Sequence, residues 1–418
     1  MNFIGEIADP IHRYIRFSSP EKDIIDSREF QRLRRIRQLA GAHLVYPSAQ
    51  HSRFEHSIGA MHIAGIAGEA LLGKGYIDDA EIVEELRIAA LLHDIGHGPF
   101  SHLFEEVLDI RCKTTHEEIG RRIILQSNIA DILGRHGHTP ERICRLSFGR
   151  SEISFLNEII SGGLSADIMD YLPRDGYFTG AEYGKIDYYR LVSSLEVSDG
   201  KLALDNSAFN SLESMLISRY EMFKAVYFHK TVRSAEVMLL HSMISADPEL
   251  GLTETSLANY LNLTDEATLE RLCSVKEFHA AQLANDYRDR RLLKCVYEKI
   301  LLKRDRHRKM DRKSLAALAT AIANSAEIDA AFVFVDASKA PSMPLTPSKE
   351  EMRSIKLIDK KGGVQDIPVS SMPLVDAVSG FLDMLRVYTT VEHRDKVERS
   401  VKKVLGGQEP LYIGRSKE

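Results

Sequence analysis

The sequence predicts a mainly α-helical protein with a smaller α+β region toward its C-terminal end. Three observations carry this. Apolar residues recur at three- and four-residue steps through about the first 245 positions, capping residues open several of those segments, and strand-like runs stand out beyond a basic stretch at 303–313. The 418 residues suffice for one large domain with an appendage or for two domains, and either buries a sizeable core. We divide them into a helical core, 1–245, and a C-terminal helical and α+β region, 246–418, with a regulatory or oligomerising role.

The elements follow in order. In "DSREFQRLRRIRQLA", Asp26 and Glu29 have cap spacing, Phe30, Leu33 and Ile36 share one side, and Arg32, Arg34, Arg35 and Arg37 form a basic face. "RFEHSIGAMHIAGIAGEALL" sets His56 in line with Ala60, Ile63, Ala67 and Ala70, so that histidine points inward. "DDAEIVEELRIAALLHDIG" carries Ile82, Leu86 and His93 on one stripe and ends at Gly96, Gly98 and Pro99. Further helices are predicted over 115–126, where Thr115 and Glu118 form a capping box, and over 155–160, 212–244, 255–260, 265–273 and 277–302. "IDAAFVFVD" and "SIKLIDKKGGVQDIPV" read as strands, the latter folded at Gly-Gly, with "APSMPLTPS" as a loop between them.

Composition narrows the function. With 44% hydrophobic and 28% charged residues the chain reads as globular, and its net charge of −5 disfavours a protein that coats nucleic acid. Cys112, Cys144, Cys273 and Cys295 lack CxxC spacing, so neither a disulfide framework nor a thiolate zinc site is expected. No targeting or membrane-spanning segment is read, and a soluble cytoplasmic protein without a membrane partner is expected.

The chemistry is concentrated in "LLHDIGHGPFSH", 91–102. His56 and His93 reach the apolar interior from separate helices, and Asp94 beside one of them needs a cation, because burying an unpaired carboxylate costs several kcal/mol. Imidazole and carboxylate donors suit a divalent ion such as Fe, Mn, Zn, Ni, Co or Mg. A fourth ligand is expected from Asp167 or Asp170, which share a helix face. His97 lies one turn beyond His93, and His116 sits in the first turn of a capped helix, where free N–H groups favour an anion; both placements suit a phosphate.

The ordered set "HSRFEHSIG", "LLHDIGHGPFSH", "TTHEEIG" and "ADIMDYLPRD" resembles the HD-domain phosphohydrolases, and most closely their deoxynucleoside triphosphate triphosphohydrolase branch. "DPIHRYIRF", "RDGYFTGAEYG" and "AVYFHK" extend the likeness along the chain. The resemblance implies an HD-domain helical core and metal ligands His56, His93, Asp94 and Asp167, with Asp170 left as a structural partner for a residue such as Arg174. It implies that His97, His102 and His116 line the phosphate cleft, His102 or His116 supplying the leaving group's proton. It places Arg53, Arg219 and Tyr171 on the phosphates, Gln38, Leu39 and Asp175 around the deoxyribose 3'-hydroxyl, and Tyr227 where a 2'-hydroxyl would sit. Its products would be a deoxynucleoside and tripolyphosphate, and its assembly a homodimer or homotetramer.

Two departures stand out. Ile168 occupies a position that is usually Lys or Arg, and "LALDNSAFNSLESMLIS" lacks the basic residues that clamp an activating nucleotide, although Asp26, Gln31, Arg34 and Arg190 match other activator-site positions. The alternatives are an HD-type nucleotide phosphatase or phosphodiesterase, or a nucleotide- or nucleic-acid-binding protein with a vestigial site.

Overall fold

The computed structural model describes residues 1–254, 256–302, 311–339, 354–368, 372 and 381–406. Most of the basic run at 303–313 and the whole of the loop at 340–348 lie outside the described residues.

The chain opens with an antiparallel hairpin, β1 (Phe3–Asp9) and β2 (Arg13–Ser18), which the helical periodicity had not signalled. A helix α1 (Ser19–Asp26) ends where the expected one was to begin, and the helix expected from Asp26 is instead two short pieces, α2 (Arg28–Gln31) and a 3-10 turn, Arg32–Arg35. Ser27, extended at φ −67° and ψ 149°, interrupts it, and its Oγ caps Phe30 N, whereas Asp26 closes α1. Phe30, Leu33 and Ile36 are buried as expected. Arg32 is buried as well, contrary to the expected basic face, because its guanidinium donates to the His97 carbonyl at 2.9 and 2.6 Å.

Next come α3 (Arg53–Gly73), α4 (Ala80–Leu92), α5 (His102–Arg111), α6 (His116–Gln126), α7 (Asn128–Arg135), α8 (Pro140–Ser147), α9 (Ser154–Ser161) and α10 (Ala166–Thr179). Helices α3 and α4 divide the interior. Ile58, Met61, Ile88 and Leu91 join one apolar cluster, while Ala64, Leu71, Leu86 and Ala89 join the other. The polar residues of interest lie along this seam, where α10 also packs on α3.

After α11 (Tyr188–Ser193), β3 (Leu195–Ser198) and β4 (Lys201–Asp205), the helix expected over 212–244 is two: α12 (Phe209–Met222) and α13 (Lys230–Leu250). A π-helical turn, Phe223–Tyr227, and the non-helical His229 separate them. Helix α13 runs through position 245, and Leu252 and Leu293 share a buried cluster with Ile15 and Phe104.

The chain continues through α14 (Leu257–Tyr260), α15 (Asp265–Cys273) and α16 (Phe278–Arg288). Helix α16 stops where Arg290 adopts φ 57°, so the helix expected to 302 gives way to a strand, β5 (Lys294–Leu302). Then follow α17 (Arg312–Ala326), β6 (Val333–Lys339), β7 (Ser354–Ile358), β8 (Val364–Pro368), β9 (Phe381–Thr389) and α18 (Arg394–Leu405). Strand β9 lies between β5 and β6, antiparallel to both, while β7 pairs in parallel with β4 and completes a sheet of order β3-β4-β7-β8. The mainly α architecture with small C-terminal sheets is as predicted. Among the described residues, no helix is long and apolar enough to cross a membrane.

Candidate metal centre

Helix α3 starts at Arg53 because Ser52 and Glu55 form a capping box, Ser52 N donating to Glu55 Oε2 at 2.9 Å. One turn on, His56 is fully buried, and its Nδ1 lies 2.8 Å from Asp170 Oδ2. His93, the residue that closes α4, sets Nδ1 2.7 Å from the Ala90 carbonyl. Carboxylate and carbonyl oxygens only accept, so both rings carry the proton on Nδ1 when neutral and present a bare Nε2.

The two Nε2 atoms are buried without hydrogen-bond partners, and both face carboxylates. His56 Nε2 is 3.6 Å from Asp94 Oδ2 and 3.1 Å from Asp167 Oδ1, the latter without hydrogen-bond alignment. His93 Nε2 is 3.4 Å from Asp94 Oδ1 and 3.9 Å from Asp167 Oδ1. Donors about 2.1 Å from a tetrahedral ion stand about 3.4 Å from one another. The four side chains therefore fit one divalent cation, and the absence of thiolates leaves a borderline-to-hard donor set.

The acid left undecided by helix spacing, Asp170, lies behind the site. It is fully buried, takes Arg174 Nε and Nη2 at 2.8 Å each, His12 Nε2 at 2.7 Å and His56 Nδ1, and Arg174 Nη1 continues to Asp9 at 2.8 Å. This outer network fixes the orientation of His56. Gly59 is part of it, because a Cβ there would fall 1.8 Å from Asp170 Oδ1.

Without a metal, His56 is itself a proton site. Burial opposes its charge, but the close Asp167 carboxylate and the charge and hydrogen bond of Asp170 outweigh that and push its pKa up to about 10 from 6.5. The stabilisation this gives is complete below pH 6.5 and fades as pH rises toward 10. A metal ion takes the same nitrogen and removes the dependence. In chelator the unfolding temperature should therefore fall across that window, and the fall should disappear on adding metal; a flat profile in chelator would show that His56 carries no such proton.

Beyond Asp94 the site turns toward anions. Burial works against the Asp94 charge, yet Arg53, His93 and His97 hold its pKa well below the usual range, and Arg53 Nη1 is paired to Asp94 Oδ2 directly. Arg53 Nε also donates to Ser101 Oγ at 2.7 Å. His97 and His116 stack with centroids 4.0 Å apart, and Glu105 Oε1 accepts from His116 Nδ1 at 2.6 Å, with Glu105 Oε2 3.6 Å from His102 Nδ1. Burial keeps His97 neutral, helped by Arg53 and His116. His116 goes the other way: burial is outweighed by Glu105, which raises its pKa above 6.5.

Gly96 makes this pairing geometrically accessible. A Cβ at Gly96 would lie 2.0 Å from the His116 carbonyl oxygen and 2.4 Å from Gly120 N. Gly96→Ala should therefore separate the His93–His97 segment from α6 and cost about 1–3 kcal/mol, measured by urea unfolding. Stability unchanged within error would show that this contact is not tight.

Arg53, His93, Asp94, His97, Ser101, His102, His116 and Asp167 line one cavity of about 960 Å³, and the remaining expected residues line it too: Gln38, Leu39, Tyr171, Asp175, Arg219 and Tyr227. Tyr227 Oη donates to Asp175 Oδ2 at 2.6 Å, while His51 Nε2 lies 2.7 Å from Asp175 Oδ1. Ile168 is on the wall, where it adds no positive charge.

Residues 53–175 match the HD domain, and residues 186–410 match the HD associated region, which alone accounts for more than half of the chain. The chain belongs to the HD-domain family.

This HD protein is 32% identical to the uncharacterized Bacillus subtilis protein YwfO, over 89% of the chain and 88% of that relative. It is 29% identical to human deoxynucleoside triphosphate triphosphohydrolase SAMHD1, over 74% of the chain but 58% of the human protein. The chain spans less than two thirds of the length of several curated relatives that it matches. Among solved structures it is similar to a phosphohydrolase from Bacteroides thetaiotaomicron, with a TM-score of 0.74 and 25% identity over 92% of this chain and 99% of that one.

The activator-matching residues are not all brought together in the HD protein. Asp26, Gln31 and Arg34 line a second cleft of about 400 Å³, in which the Arg34 guanidinium lies 3.5 Å from the Phe54 ring centroid. Arg190 lies outside the lining of that cleft and bonds Ser207 Oγ at 2.7 Å. Sequence reasoning missed His12, His51 and Glu105. Glu105 was accessible to it, being three residues from His102 on a helix and so on one face.

Proposed function

We propose that this metal-dependent phosphohydrolase acts on deoxynucleoside triphosphates and releases the deoxynucleoside and tripolyphosphate. The observation that carries the reading is the pair of bare, buried Nε2 atoms of His56 and His93 facing Asp94 and Asp167, where His93 and the two aspartates line a cavity that also holds Arg53, His97 and His116. A divalent cation in this donor set supplies Lewis acidity to water and to phosphoryl oxygens.

The chain's own groups have separable roles. Arg53, Arg219 and neutral His97 face the triphosphate and take up charge developing on its oxygens. His116, whose hold on its proton Glu105 strengthens, gives that proton to the departing oxygen, with His102 the nearest alternative donor. Gln38, Leu39 and Asp175 bound the deoxyribose. Tyr227, tied to Asp175 at 2.6 Å, stands where a 2'-hydroxyl would need room, so ribonucleotides are expected to turn over more slowly. In the same reading the protein acts in the cytoplasm as a homodimer or homotetramer, residues 246–418 contribute to regulation or assembly, and Asp26, Gln31 and Arg34 contact an activating nucleotide without Arg190 from the same chain's cleft.

The test is to incubate metal-loaded protein with each of the eight common nucleoside triphosphates and to identify the products by chromatography. Tripolyphosphate, formed faster from the deoxy series, supports the proposal. Orthophosphate or pyrophosphate as the first product would replace it with a phosphatase or a different cleavage, and tight binding without turnover would replace it with a binding protein.

A further inference from the structure

We propose that a second divalent-cation site, for a zinc-class transition-metal ion, is formed by Glu81, Glu84, Glu85 and His138 at the start of α4. This is the end of the helix opposite His93.

The observation behind it is an imidazole without partners. His138 is 5% exposed, and neither ring nitrogen has a hydrogen-bond partner. The ring does not sit among apolar groups alone: ligand atoms of Glu81, Glu85 and His138 lie within 4.8 Å of one another. His138 Nε2 is also 3.7 Å from Glu84 Oε2, too long for a hydrogen bond and close to the spacing of two donors around one ion.

The backbone holds the donors in place. Glu81 and Glu85 are one turn apart on a helix capped by Asp79. His138 follows the end of α7, where Gly137 takes φ 83° and His138 N bonds the Leu133 carbonyl at 3.0 Å, so the ring is carried by a fixed chain reversal. Among the described residues, the cation paired with these acids is Arg142, which bonds Glu85 Oε2 at 2.7 Å and is 52% exposed. Three carboxylates against one guanidinium leave surplus negative charge beside the bare imidazole.

One imidazole with several carboxylates and no thiolate suits zinc, cobalt, nickel or manganese, whereas calcium and magnesium prefer oxygen donors throughout. An ion there would tie α4 to the α7–α8 connection. Glu85 and His93 are separated by about 12 Å of helix, and the two sites share no ligand, so this one is structural rather than catalytic.

The test uses full-length, metal-free protein in which His93→Ala and Asp167→Ala disable the central site. Zinc is titrated by equilibrium dialysis and metal analysis, alongside thermal unfolding. One bound zinc per chain with a raised unfolding temperature is expected, and His138→Gln or Glu81→Gln should weaken that binding by at least about tenfold. In the otherwise unaltered protein, His138→Gln should keep the central ion and turnover. Should His138→Gln not fold, Glu81→Gln decides alone, because that side chain is exposed. No zinc bound by the centre-disabled protein, or equal binding by the variants, would overturn the proposal.

Discussion

The His93→Ala protein is expected to lose its central metal ion and to hydrolyse substrate about 10³-fold more slowly or worse. His93 is the clean ligand to remove. Its side chain bonds only the Ala90 carbonyl of its own helix, at 2.7 Å, so little besides the ion depends on it. Asp94→Ala would remove a ligand too, but it would strand the 2% exposed Arg53 guanidinium, at a cost of about 3–5 kcal/mol. Loss of activity there would mix misfolding with chemistry. For His93→Ala, unfolding in chelator should match that of the unaltered protein, while metal content and turnover fall together. Turnover within tenfold of the original would show that the ion is not held as described.

His116→Asn should lower turnover by about 10²–10⁴-fold while the ion stays bound, the range that a positioned proton donor contributes. The accompanying pH dependence has a definite sign. Burial disfavours the imidazolium, but the Glu105 hydrogen bond and charge prevail and raise its pKa above 6.5. His116 therefore keeps its proton to higher pH than an ordinary imidazole and is lost as a donor as pH rises through the raised value. Glu105→Gln should move the alkaline fall of kcat to lower pH. An unchanged alkaline limb in Glu105→Gln would assign the proton to another group, with His102 the first to examine.

The convergence of His56 and His93 was legible because helix periodicity is a local signal. His56 and His93 each fall on an apolar stripe of their own helix, and the structure buries His56 completely and sets the two rings 5.3 Å apart. The choice between Asp167 and Asp170 was not legible from spacing, since both share a face of α10. It turns on Arg174, His12 and Gly59, which hold Asp170 behind the site, and His12 is 158 residues away in sequence.

Non-local pairing hid other features in the same way. Strand β5 looks helical in isolation, yet it pairs with β9 across some eighty positions, and β7 completes a sheet begun at β3 and β4. The break between α2 and its neighbours was hidden for a different reason: Ser27 offers its hydroxyl to Phe30 N in competition with a continuous helix. Arg32 illustrates the limit of reading charge as solvated surface, because a carbonyl 65 residues away, on His97, draws it into the core.

The central claim is that His56, His93, Asp94 and Asp167 hold one divalent ion. Anomalous diffraction from crystals of the metal-replete protein tests it most directly. The expected result is a peak about 2.0–2.2 Å from His56 Nε2, His93 Nε2 and a carboxylate oxygen of each aspartate. A map from active, metal-replete protein with no peak among these four side chains would contradict it.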